Sequence, residues 1–269
     1  TFTLYDGVQV RLRTPHLWTT TSRTVVRVLN EHGLDATVQE VEFRKAEERL
    51  RLLHGVSIRP DGTVVHLRDT AVQDEAVYVD MPRYDTVTRQ RFALPEGKPG
   101  TVLDVAMELE RHTAVPHVWF TAEFLFGGME PGREGRMDIF APAGCPIRWQ
   151  ILNDPEKTVT HTAESQEDGI WHRWRRTDLP QLLPEPMLPP VADLVPRLVV
   201  SAYPGSWEDA ARECAAAIDS LRTAFAVLPP PAANRVRRVV GECLAEYPGQ
   251  RHFPVGHRLP SGGPGLDVA

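Results

Sequence analysis

Ten short runs, each apolar or alternating and each closed by turn residues, crowd the stretch from Phe2 to about Trp174. In order they are TLYDGVQVRLR, SRTVVRVLN, LDATVQEVEF, LRLLHGVSI, TVVHL, VTRQRFAL, TVLDVAMEL, HVWFTAEFLF, RMDIFAP and IRWQIL. Period-two alternation sends neighbouring side chains to opposite faces of a strand, so this pattern predicts stacked antiparallel sheets, a mainly β sandwich. Between Ile58 and Thr63 the step Arg59-Pro60-Asp61-Gly62 fits a tight hairpin. Proline fixes φ there, Asp61 can bond its own backbone and Gly62 can take positive φ. In LDATVQEVEF, Leu34, Ala36 and Val38 keep phase but Val41 does not, which predicts a β-bulge near Gln39. The run WHRWRR at 171–176 reads as one strand with Trp171 and Trp174 inward and its arginines in water.

The sandwich is expected to occupy 1–176. Residues 177–205 follow with Pro180, Pro184, Pro186, Pro189, Pro190 and Pro196. Prolines at this density rule out helix and interior strand, leaving an extended strap over the surface or between domains, with LVVSAY as a returning strand. A helical segment is expected over 206–246. Ser206 and Asp209 form an S-x-x-D capping box, and Trp207, Ala210, Ala211, Cys214, Ala217, Ile218, Leu221 and Phe225 share one face. The prolines at 229–231 stop that helix, a second helix is expected within 232–246, and 247–269 reads as a coil tail. The PEGKPG and GGMEPGREG loops precede no helix pattern, so they read as turns and not as phosphate cradles.

Charge narrows the partners. The 269 residues carry a formal charge of −6, with charged residues of both signs mixed along the chain and no long basic stripe. Nucleic acid is therefore not an expected partner. No apolar run approaches the roughly 20 residues of a membrane span, so membrane insertion is not expected either. Three cysteines, Cys145, Cys214 and Cys243, fit neither a zinc pattern nor a disulfide framework. Cys214, on the apolar helix face, reads as a small core residue. A chain that starts at Thr1 without an initiator Met is expected to be a trimmed or processed product.

Several phrases in fixed order carry a resemblance: VVRVLNEHG at 25–33, LRLLHGVSIRPDGTVV at 50–65, FALPEGKPGTVLDVAMELE at 92–110, VWFTAEFLF at 118–126 and the close from PEPMLPP to SWEDAARE. Over roughly residues 1–215 the chain resembles the bacterial domain of unknown function 3857 family, the N-terminal companion of transglutaminase-like proteins. The resemblance implies a mostly antiparallel sandwich placed before a papain-like or transglutaminase-like catalytic domain, often in exported proteins. A periplasmic or extracellular location follows as the expectation, with the cytoplasm left open. The companion domain has no assigned chemistry, so the resemblance supplies no catalytic, cofactor-binding or metal residues and no cofactor.

The tail does hold Cys243, His252, His257 and Asp267 in the order a transglutaminase-like site would need. Only 26 residues follow Cys243, however, and it falls late in its expected helix, where the dipole opposes a thiolate. Ten histidines invite a metal, with His161, His172, His252 and His257 in the most favourable surroundings, but no ligand spacing supports one. The pairs Glu47–Glu48 and Glu167–Asp168 sit in turn-like context, and Phe120, Phe124 and Phe126 read as one buried strand face. The expected function is a non-catalytic accessory or interaction module that docks to a linked transglutaminase-like domain or another protein. Its contacts would be the strap and a helix face of Trp207, Ile218, Leu221 and Phe225. Two alternatives stay open: a cysteine protease or transglutaminase using Cys243, and a sandwich that binds carbohydrate or peptide.

Overall fold

Period-two patterning becomes strands almost wherever it occurs. The computed structural model describes residues 1–77, 86–114, 118–226 and 234. It divides into a unit Thr1–Tyr203 and a second beginning at Pro204. The strands are β1 (Phe2–Thr14), β2 (Leu17–Arg27), β3 (Val38–Arg44), β4 (Glu48–Ile58), β5 (Val64–His66), β6 (Gln73–Ala76), β7 (Val87–Ala93), β8 (Val102–Arg111), β9 (Thr121–Leu125), β10 (Gly132–Pro142), β11 (Arg148–Leu152), β12 (Thr160–Gln166), β13 (Gly169–Leu179) and β14 (Arg197–Ser201). The second unit holds helix α1 (Trp207–Ala226). The fold is the mainly β sandwich with a C-terminal helix that the sequence predicts; the expected second helix lies outside the described residues.

One eight-stranded sheet, ordered β12-β13-β10-β1-β2-β8-β4-β5, forms a layer. Two three-stranded sheets, β11-β14-β9 and β3-β7-β6, supply the other. Register shows that both small sheets cover the same face of the large one. Asp6, Val8, Val10 and Leu12 of β1 lie level with Thr24, Ser22, Thr20 and Trp18 of β2, and Val8 and Val10 with Met137 and Ile139 of β10. On that face, Val10, Leu12, Met137, Ile139 and Trp174 form one core with Phe120, Phe124, Phe126, Leu198 and Val200. Leu103 and Val105 of β8 form a second with Val28, Phe92 and Leu94.

Three expectations about the strands change. The pair β1–β10 runs parallel, which period-two reading cannot distinguish from antiparallel. The predicted bulge near Gln39 is absent: β3 pairs with β7 without a register shift, and a 3-10 helix spans Glu31–Thr37. The loss of phase marks the point where helix hands over to strand. Cross-strand irregularities fall instead at Leu52/His54, Thr3/Tyr5 and Leu12/Thr14. Trp171 and Trp174 do not share a face either. With no shift along β13, Trp174 pairs with Met137 beneath the small sheet, and Trp171 pairs with Phe140 on the opposite face. There the ring is covered by Phe140 at 5.3 Å and by the Arg11 guanidinium at 5.5 Å.

The proline strap is a crossover inside the first unit. It leaves β13 in the large sheet, bridges Gly128 at Gln181, and delivers β14 as the central strand of a small sheet. Backbone bonds from Leu182 N–H to the Gly128 carbonyl (3.1 Å) and from Phe126 N–H to the Pro196 carbonyl (2.8 Å) tie it down. The Arg59–Thr63 hairpin also forms as read, with Gly62 at φ 86° and the Thr63 N–H donating to the Asp61 carboxylate at 2.9 Å.

Candidate functional site

Within the strap, Glu185-Pro186-Met187-Leu188 makes a tight turn, closed by the Leu188 N–H donating to the Glu185 carbonyl at 3.2 Å. Proline occupies its second position and Met187, at φ 65°, its third. Positive φ at the third position after proline defines a type II turn, where glycine is the unstrained residue. The chain places methionine there instead, and 98% of that residue lies in solvent. Leu183, earlier in the strap, is 68% exposed, and Leu194 is exposed as well. Methionine is unbranched and polarizable, so it adapts to an apolar partner surface. The strap thus presents apolar side chains on a backbone that proline has already ordered, which lowers the entropy lost on docking.

The second unit begins with the predicted cap. Ser206 and Asp209 bond reciprocally: Ser206 N–H and hydroxyl each donate to the Asp209 carboxylate at 2.8 Å, and the Asp209 N–H returns to the Ser206 hydroxyl at 3.2 Å. These bonds, with Arg212 beside them, lower the Asp209 carboxyl to about 2. On α1, Ile218 is 52% exposed. Trp207, Leu221 and Phe225 belong to the same helix, but their side chains lie outside the described residues.

The other sequence candidates resolve into structural roles. Cys214 is exposed, which corrects its reading as a core residue, because its position on α1 faces solvent. Burial raises the half-buried Cys145 thiol and keeps it protonated. Cys243, His252, His257 and Asp267 lie outside the described residues. Glu47 and Glu48 grip the buried Arg111 guanidinium at 3.3 and 2.9 Å, and that guanidinium lies over Trp18, so this pair is a clamp. Glu167 and Asp168 form the β12–β13 turn. Phe120, Phe124 and Phe126 are buried core. His161 and His172 do come together, with ring nitrogens 3.3 Å apart. Among the described residues, no three potential metal ligands cluster.

Sequence reasoning missed the uncovered face of the large sheet. It carries a ladder of ion pairs, Arg23 on Asp104, Arg51 on Glu108, Arg136 on Asp138 and Arg175 on Glu134, and the His54 ring bonds to Asp104 at 2.9 Å. The signal was present as charges two residues apart, Glu108 and Glu110 in β8 and Glu134, Arg136 and Asp138 in β10. Cross-strand partners cannot be assigned without strand order.

Two small sheets on one face of a long, largely antiparallel sheet define a β-sandwich with an ion-paired outer surface. The family described as "Domain of Unknown Function with solved-structure structure (DUF3857)" matches residues 14–182, and the chain belongs to it. Among solved structures, the chain is similar to one titled a putative protease from Parabacteroides distasonis, with a TM-score of 0.68 and 16% identity. That match covers 76% of this chain and 40% of the other, so this chain spans well under half the length of that protein, and the likeness is one of fold. A structure titled a putative nutrient binding protein from Legionella pneumophila aligns at TM-score 0.28 and 9% identity, over 74% of this chain and 66% of that one, too weakly to support an argument. No curated protein matches the chain.

Proposed function

We propose that the chain is a non-catalytic accessory module that docks to a catalytic domain of transglutaminase-like or protease type carried on the same polypeptide, in a periplasmic or extracellular setting. The observation that carries this reading is Met187, a fully exposed apolar side chain held at positive φ in a proline-set turn. Glycine would meet this turn's need without strain, so an exposed methionine there is a cost the turn itself does not require, and such residues cluster at functional sites. The similarity in fold to part of a much longer chain titled a putative protease supports the same arrangement. In this reading the strap and the α1 face of Trp207, Ile218, Leu221 and Phe225 form the contact, and the partner's apolar surface covers Leu183 and Met187.

The test is photo-methionine incorporated into the native gene product, followed by mapping of the cross-links from position 187. Cross-links to peptides of a downstream catalytic domain are expected. A native product of 30.1 kDa, or a longer one without cross-links from position 187, overturns the proposal.

A further inference from the structure

The His161 and His172 rings meet where the small sheet β11-β14-β9 ends over the large one. Nε2 of His161 and Nδ1 of His172 are 3.3 Å apart, the ring centroids 5.5 Å, and the ring planes differ by 11°. The centroid separation is close to the nitrogen gap plus two ring radii, so the imidazoles lie end to end, nearly coplanar, joined by one N–H···N hydrogen bond. Trp174 lies against both rings, at 4.9 Å from His161 and 5.8 Å from His172. From the opposite layer, Trp149 of β11 closes on His161 at 4.5 Å and meets Trp174 edge-on at 5.7 Å. Trp149 is 41% exposed, so water reaches this edge.

We propose that this imidazole pair, on the neighbouring strands β12 and β13 of the large sheet, is a pH-operated latch that seats Trp149 of the opposite layer. The neutral pair has one donor and one acceptor facing each other. One added proton can enter at an outer ring nitrogen and leave the bond in place. A second puts N–H against N–H and two cations in contact, and the rings must separate, taking Trp149 off the edge. Burial lowers both imidazoles, and His172 is lowered further by His161, so both resist charging.

Among the described residues, the neighbouring elements supply no carboxylate to compensate. On β13, Arg176 shares the face of Trp174 and donates to the Phe126 carbonyl at 2.7 Å. Asp154, in the loop before β12, is committed to the Thr158 and Val159 N–H groups at 2.8 and 3.0 Å. Cys145 is a protonated thiol, and Arg148 alternates to the outer side of β11. Because the folded values lie below the unfolded one, the latch contributes fully above the ordinary histidine range and is lost as pH falls through it.

The experiment is a pH titration of the protein from 8 to 4.5, recording indole fluorescence and melting temperature for wild type and for His161→Phe. Phenylalanine keeps the ring contacts but neither bonds nor titrates. The expected result is a reversible fluorescence step and a fall of about 3 °C or more in wild type, with the step absent in the variant. An identical step in both proteins overturns the latch. Should His161→Phe fail to fold, nitrogen NMR of the wild-type imidazoles decides. Two coupled titrations below the ordinary range support the proposal, and two independent ones at the ordinary value sink it.

Discussion

Met187 and Asp6 are two residues the fold tolerates at a cost, for opposite reasons. Met187 holds a glycine's conformation while its side chain touches solvent. Met187→Gly is therefore expected to leave the melting temperature unchanged or raise it by roughly 2 °C while removing the apolar contact made by the strap. A clear loss of thermal stability would show that the methionine serves the sandwich. Asp6 sits on the inner face between Thr24 and Gly135, and its one side-chain bond among the described residues is a long 3.4 Å contact from the Thr24 hydroxyl. Burial raises its carboxyl. A raised folded value means that its contribution is greatest below the unfolded carboxyl range and is lost as pH rises. Asp6→Asn should raise the melting temperature by roughly 3 °C at pH 7 and leave it unchanged near pH 3. Equal shifts at both pH values would remove ionisation as the cause.

At the scale of elements, local chemistry was legible and long-range pairing was not. The Ser206–Asp209 cap and the Asp61-Gly62 hairpin formed as the sequence predicted, because each is closed by residues within four positions of one another. The parallel β1–β10 pair depends on strand order and the meeting of His161 with His172 on the register of β12 against β13, which periodicity does not encode. The opposite faces of Trp171 and Trp174, three residues apart, follow from the alternation itself and correct the reading of both as inward. The cap makes a pH prediction. The Asp209 carboxyl lies at about 2, below the ordinary 3.8, so its support for α1 is complete above that value and disappears between about pH 4 and 2. Ser206→Ala should lower the far-ultraviolet helical signal of α1 at pH 7 and flatten its dependence over that window. At the first residue of β13, just past the β12–β13 turn, a Cβ on Gly169 would meet the Ala141 carbonyl oxygen at 2.2 Å. Gly169→Ala should cost about 1–3 kcal/mol, measured by urea unfolding. A neutral result would mean that the turn can shift away from β10.

The strap changes where the smallest folding unit of the molecule ends. A sequence reading closes the sandwich at residue 176 and treats the prolines as a passage to something else. In the structure, the strand beyond the strap is the middle of a sheet: Leu198, Val200 and Ala202 are wholly buried, and β14 pairs with both β9 and β11. Without β14, the latter two strands have no partner in their sheet, and Phe120, Phe124, Met137 and Trp174 lose part of their cover. Strands left with unpaired edges over an apolar face associate with other chains or lose fixed packing. A chain of residues 1–203 is therefore expected to unfold in one cooperative transition. A chain of residues 1–176 should bind a hydrophobic dye, lose its near-ultraviolet aromatic signal and aggregate on concentration. The comparison needs only these two lengths, purified in parallel and followed by circular dichroism and calorimetry. A cooperative melt in the shorter chain would show that the eight-stranded sheet holds its core alone, and would return the strap to the role of linker.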